Sequence, residues 1–356
     1  MESIIRVLVV DDSAFARYSI IRELESDAGI KVVGFARNGL EALEQIKELK
    51  PDVVTLDVEM PQLNGIDTLH RVMLEHPTPV IMLSSLTGAG TETTIRALEL
   101  GAVDFFLKSS QIGPLGDYSS ADDLKTKIRV AAGVKVTRVG RPLLKADCTA
   151  VPKNRNVGGF PPDRAIVIGC STGGPRALYQ IVPSLPSDRP AGILVVQHMP
   201  QGFTRSMANR LDQLSGVAVK EAAEGDAIRT GEVLIAPGGY HMMINRDYSV
   251  GLNQGPLVCG VRPSVDVTMR SAAAVFGASL VAAVLTGMGS DGTEGTGMIR
   301  AVGGRVIAES ESTSIVWGMP RSVIDAGNAD RVLPLSRIVP ELVRMHNGER
   351  RGSYNG

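Results

Sequence analysis

The chain has 356 residues, 44% hydrophobic and 21% charged, a globular balance too long for one ordinary core and suited to two domains. Its 37 Lys and Arg against 38 Asp and Glu give no overall basic field, which argues against nucleic acid or a lipid surface and for a protein or small-molecule partner. Cys148, Cys170 and Cys259 lie too far apart in sequence to suggest a framework, MESIIRVLVVDD has no signal-peptide character, and ASLVAAVLTG is too short to span a bilayer. A cytoplasmic protein without direct membrane insertion is therefore expected.

From residue 5 to about 135, the apolar β-branched runs IRVLVV, KVVGFA, DVVTLD, PVIMLS and AVDFFL alternate with helical patterns such as EALEQIKELK. Five strands with intervening helices predict a doubly wound parallel α/β sheet, with a domain boundary at 1–136. Residues 137–162 lose this periodicity and hold Pro142, Pro152, Pro161, Pro162 and Gly158-Gly159, the composition of a linker. Alternation resumes with IVIG, ILVVQ, VLIAP, LVAAVLT and RVIAE, so 163–350 is read as a second α/β domain. A hairpin-like stretch near 240–252 is expected to make its sheet mixed. No internal repeat is visible.

In a parallel α/β sheet, functional groups gather at the carboxyl ends of the strands. Here those ends carry Asp11 and Asp12, Asp57, Ser84 and, after the fifth strand, Lys108. Three convergent carboxylates call for a counter-ion, and a hard divalent cation such as Mg²⁺ suits oxygen ligands. Asp57 then becomes a candidate nucleophile toward phosphorus, with Lys108 and the metal neutralising phosphoryl oxygens. The blander alternative has Asp11 and Asp12 capping the next helix and Lys108 in solvent.

VLVVDDS, TLDVEMPQLNG, VIMLSS and DFFLK resemble the successive signatures of a response-regulator receiver domain, over nearly all of residues 4–135. The resemblance implies a flavodoxin-like (βα)5 fold with Asp57 as phosphoacceptor and Asp11, Asp12 and Asp57 as Mg²⁺ ligands. It further implies Ser84 as switch hydroxyl, Phe105 as switch aromatic and Lys108 as phosphoryl contact. Ser109 stands where that family usually has proline after the lysine.

In the second half, AIVIGCSTGGPRAL carries a buried-strand pattern into a glycine-rich turn, and Gly169–Gly173 fit G-x-S-x-G with Ser171 as candidate nucleophile. A P-loop reading of this turn fails for want of a Lys-Ser/Thr pair, and a dinucleotide reading because the turn lacks G-x-G-x-x-G. His198, at the end of ILVVQ, is the candidate base. His241 in GGYHMMI is the alternative, and His346 reads as solvated. Asp291, just beyond a strand in LTGMGSDGTEG, is the candidate acid. Asp266 in RPSVD competes with it, and a simple helix-capping role competes with both. The order Ser-His-Asp departs from the Ser-Asp-His order of α/β-hydrolases, so that fold is not implied.

GCSTGGPRAL, VVQHMPQGFTRSMANRL, IAPGGYHM, RPSVDV, LTGMGSDG and WGMPR together resemble the catalytic domain of chemotaxis protein-glutamate methylesterases, over about 164–345. That resemblance implies a triad of Ser171, His198 and Asp291, the Met288 backbone N–H at the oxyanion site and Thr172 close to the histidine. Cys170, where alanine is often found, is expected to be buried and inert. The implied activity is demethylation of glutamate methyl esters, with glutamine deamidation, on methyl-accepting chemotaxis receptors. A chemotaxis histidine kinase would be the phosphodonor, Mg²⁺ would serve the receiver, and ester hydrolysis would need no cofactor. The unphosphorylated receiver is expected to occlude the esterase site. The rivals are a receiver with a protein-binding output domain and a transcriptional regulator, the latter disfavoured because no helix-turn-helix signal is visible.

Overall fold

A computed structural model of the chain describes residues 4–84, 88–108, 121–134, 158, 160–186 and 191–346. Most of the expected linker (137–157 and 159) and Ser109 lie outside these residues. The chain divides into two compact units, Met1–Asp147 and Cys148–Gly356.

In the first unit, strands β1 (Ile5–Val10), β2 (Ile30–Ala36), β3 (Val53–Asp57), β4 (Val80–Ser84) and β5 (Asp104–Leu107) alternate with five helices. These are α1 (Ala14–Glu25), α2 (Gly39–Leu49), α3 (Gly65–Glu75), α4 (Gly88–Leu100) and α5 (Ala121–Ala132). The sheet is parallel, in the order β2-β1-β3-β4-β5. β3 and β4 are buried at every position, which is why VVTLD and VIMLS read as continuous apolar runs ended by a polar residue. The strand order reverses between β1 and β3, and the crevice at such a switch point is where an open α/β sheet binds its ligand. Asp11 and Asp57 stand there.

The second unit comprises β6 (Arg164–Cys170), α6 (Gly174–Ile181), β7 (Ala191–Gln197), α7 (Phe203–Leu214), β8 (Ala218–Glu221), β9 (Glu232–Ile235), β10 (His241–Ile244) and β11 (Val250–Asn253). There follow α8 (Val265–Phe276), β12 (Leu280–Val284), α9 (Thr293–Ala301), β13 (Arg305–Glu309), α10 (Met319–Asp325), β14 (Arg331–Leu333) and α11 (Leu335–His346). The main sheet runs β14-β13-β12-β6-β7-β9-β8, and all its pairings are parallel. β8 and β14, at its two edges, are short and carry charge (AVKE, RVL), so neither shows an apolar run in sequence.

The hairpin near 240–252 exists, but it does not make this sheet mixed. β10 and β11 pair antiparallel as a separate two-stranded sheet. The ribbon is held on α8 instead: Thr268 Oγ1 donates to the Met242 carbonyl at 2.7 Å, and Ile244 N donates to Ser271 Oγ at 3.0 Å. Met242, Ile244 and Val250 join the core beneath it. Sequence alternation identifies a hairpin but not the surface that buries its apolar face.

Candidate active site

At the first switch point the Asp11, Asp12 and Asp57 carboxylates bring oxygens within 4.8 Å of one another. Lys108 Nζ lies 3.0 Å from Asp11 Oδ2 and 2.7 Å from Asp57 Oδ2, so it is not simply solvated. Nor do the aspartates cap α1, whose N-cap is Ser13, accepting from Ala16 N. Burial raises the Asp57 carboxyl above its ordinary value, and Lys108 opposes that shift. One ammonium among three carboxylates leaves a surplus of negative oxygen donors, a set that fits a hard divalent cation. Ser84 ends β4, one residue past the Leu83 that pairs with Asp57, and accepts a hydrogen bond from Thr94 Oγ1 at 2.7 Å. Phe105 is buried on β5, with Lys127 Nζ 5.8 Å from its ring centre.

The second site is also at a switch point, where β6 leads to β7 on one side and lies beside β12 on the other. Cys170 and Gln197 are register partners, so Ser171 and His198 leave adjacent strands at the same level. His198 N donates to the Cys170 carbonyl at 3.2 Å, and Ser171 N to the Thr286 carbonyl, beyond β12, at 3.0 Å. The Ser171 hydroxyl has no hydrogen-bond partner among the described residues. His198 Nε2 is 2.8 Å from Asp291 Oδ2, and Nδ1 is without a partner among the described residues.

Asp291 is not a cap of α9, whose N-cap is Gly292. It is 2% exposed and sits on the N-terminus of α8. Its Oδ1 accepts from Ser264 Oγ at 2.8 Å and Asp266 N at 3.0 Å, while Oδ2 accepts from Val265 N at 2.6 Å as well as facing His198. Burial alone would raise this carboxyl, but His198 and the two helical N–H groups outweigh it and hold the group below its ordinary value. Those donors and the helix dipole keep the carboxylate ionised and aimed at the imidazole.

His241 does not join this group: its ring, 2% exposed, has Nε2 on the Pro256 carbonyl at 2.9 Å. His346 ends α11, and its side chain lies outside the described residues. The Thr172 carbonyl accepts from Thr286 Oγ1 at 3.0 Å. Met288 is 46% exposed, and its N–H has no acceptor among the described residues. Gly287 brings this segment close: a Cβ there would fall 2.9 Å from Ser171 Cβ and 3.0 Å from Ser171 N. Cys170 is fully buried, and burial pushes its thiol far above the usual range, as expected of an inert cysteine.

Two supporting residues escaped sequence reasoning. Gln197 Nε2 donates to the carbonyls of Ser171 at 3.0 Å and His198 at 3.1 Å, tying the two strand ends together. The fully buried Glu309 accepts from Thr286 N at 2.8 Å and Thr313 Oγ1 at 2.8 Å, so it holds the segment on which Ser171 N rests. Each carried a signal in sequence, a polar residue closing an apolar run (ILVVQ, VIAE).

Residues 166–342 match the family described as CheB methylesterase, and residues 7–117 the response regulator receiver domain. A protein-glutamate methylesterase/protein-glutamine glutaminase of Symbiobacterium thermophilum is 50% identical over 96% of both chains. One of Thermotoga maritima is 46% identical over 97% of this chain and 99% of its own. The crystal structure of the Thermotoga maritima CheB methylesterase catalytic domain superposes with a TM-score of 0.50 at 46% identity, covering 51% of this chain and 98% of that one. With its receiver ahead of an α/β unit that carries a paired histidine and aspartate beside a strand-end serine, the chain belongs to the CheB family of protein-glutamate methylesterase/protein-glutamine glutaminases.

Proposed function

We propose that the second unit hydrolyses glutamate methyl esters on chemotaxis receptors, and deamidates glutamines there, with Ser171, His198 and Asp291 as its triad. The observation that carries this reading is the 2.8 Å contact between His198 Nε2 and Asp291, set where Ser171 and His198 leave paired strands. With Nε2 committed to the acid, Nδ1 is the nitrogen that takes the Ser171 proton as Oγ attacks the ester carbonyl. The developing oxyanion is stabilised by the unpaired Met288 N–H, a contribution of about 3–4 kcal/mol per donor. As the intermediate collapses, the methoxide oxygen takes the proton from His198 and departs as methanol. Water then attacks the acyl-enzyme, losing a proton to His198, which returns it to Ser171 Oγ as the acyl–oxygen bond breaks and the receptor's glutamate carboxylate is released. On glutamine the same steps release ammonia.

Control belongs to the receiver. A chemotaxis histidine kinase would supply the phosphoryl group to Asp57, with Asp11, Asp12 and Asp57 holding Mg²⁺ and Lys108 contacting the phosphoryl oxygens. When bound, Mg²⁺ neutralises charge on the transferring group. Ser84 and Phe105 would report the modification through the end of β4 and the adjacent β5. The oxygen donor set and the Lys108 bridge support this assignment.

The test is methanol release from methylated receptor membranes. Ser171→Ala and His198→Gln should each lose several orders of magnitude in kcat, whereas His241→Gln keeps most of it. A Ser171→Ala protein with a tenth of the wild-type rate, or a dead His241→Gln beside an active His198→Gln, would overturn the assignment.

A further inference from the structure

Asp266, the rival acid in sequence, is not left over as a bystander. It is the second residue of α8 and 1% exposed. Its backbone N–H is on Asp291 Oδ1, and an oxygen of its carboxyl lies within 4.8 Å of one from Asp291. Its Oδ1 accepts from Gly295 N at 2.6 Å, and the carboxyl has no Lys or Arg partner among the described residues. Asp291, by contrast, has four hydrogen-bonded neighbours around its two oxygens. Two buried carboxyl groups in such proximity do not both ionise cheaply, and the one with fewer donors keeps the proton.

We propose that Asp266 is a positioning residue of the hydrolase site: in its protonated form it supports the Asp291 carboxylate against His198, and its ionisation makes His198 a less available base. This rests on the triad reading above. The charged and titratable groups facing Asp266 are Asp291 beyond β12, Glu294 on α9 and Cys259 ahead of α8, with Arg270 one turn along its own helix and paired to Glu294 at 3.3 Å. His198 lies on the other side of Asp291. Burial first, and then the Asp291 and Glu294 charges, push the Asp266 carboxyl up to about 6 against the pull of the Gly295 N–H. The sign follows. Below that value Asp266 is neutral, and above it a second negative charge stands beside Asp291 and favours the imidazolium over the neutral base.

Asp266→Asn cannot ionise, yet its amide can still accept from Gly295 and donate to Asp291. In the full chain, the acid limb of the kcat–pH profile should move to lower pH by about half a unit or more. Below about pH 6, where Asp266 carries its proton, Asp266→Ala should lower kcat roughly tenfold through loss of the supporting hydrogen bond, and Asn should restore most of that loss. An activity-independent readout is the ring titration of His198 followed by NMR in full-chain Ser171→Ala, its signal assigned by loss in His198→Gln. The Asp266→Asn substitution should move that titration to lower pH as well. A purely structural Asp266 would change thermal stability and leave both titrations in place. Unmoved titrations in an active enzyme would overturn this inference alone, whereas a wild-type chain that releases no methanol would overturn the triad reading.

Discussion

Asp291→Asn tests the site most sharply, because the hydrogen bonds around that carboxylate determine how an amide must sit. If the amide oxygen replaced Oδ1, its NH₂ would confront the Val265 N–H and force His198 to present a bare Nε2, placing the ring proton on the nitrogen needed as base. If the oxygen replaced Oδ2, it would keep both Val265 and His198, and the NH₂ would face Ser264 Oγ, which can turn to accept, and the Asp266 N–H, which cannot. The second orientation leaves one buried N–H unpaired, a cost of about 1–3 kcal/mol in stability, but preserves the productive tautomer. What is lost is the negative charge that stabilises the imidazolium in the transition state. We therefore expect kcat to fall about 10²–10³-fold, in the range of one electrostatic contact, rather than the roughly 10⁴-fold of a tautomer reversal, with KM changed little. Saturation kinetics of methanol release measure this, and ¹⁵N NMR of the ring reports which nitrogen carries the proton. A kcat within threefold of wild type, or an Asp266→Asn protein more impaired than Asp291→Asn, would refute the reasoning.

Gly287→Ala should cost up to about 100-fold in kcat, the scale of a misplacement of a nucleophile by about 1 Å: the added methyl meets the buried Met319 Sδ and, at 3.0 Å, the backbone Ser171 N. An alanine variant with unaltered turnover would mean that the segment after β12 does not locate Ser171. A small-molecule phosphodonor with Mg²⁺ should raise methanol release by the full chain, and Asp57→Asn should abolish that rise. An equal rise in Asp57→Asn would move the phosphoacceptor elsewhere.

The strands and the groups at their ends were legible in the sequence because buried parallel strands are written as apolar runs, and each run stops where the chain emerges at the sheet edge. Asp57, Ser84, Ser171 and His198 all lie at such stops, and Asp291 follows one within a short glycine-rich loop. The residue pattern left Asp266 in competition with Asp291, since both are acids beside helix starts, and the family resemblance favoured Asp291. The choice depends on which carboxylate the α8 N-terminus grips and which faces His198, and that is a relation between segments 93 residues apart. The placement of the hairpin on α8, away from the main sheet, was likewise hidden, because alternation specifies a buried face but not its cover. Strand order was decided at the same level: β6 lies between β7 and β12, so the serine, the histidine and the segment bearing Met288 meet only after the chain has crossed the sheet in both directions. Such long-range pairings arise from the packing of the whole unit, and local propensity carries no record of them.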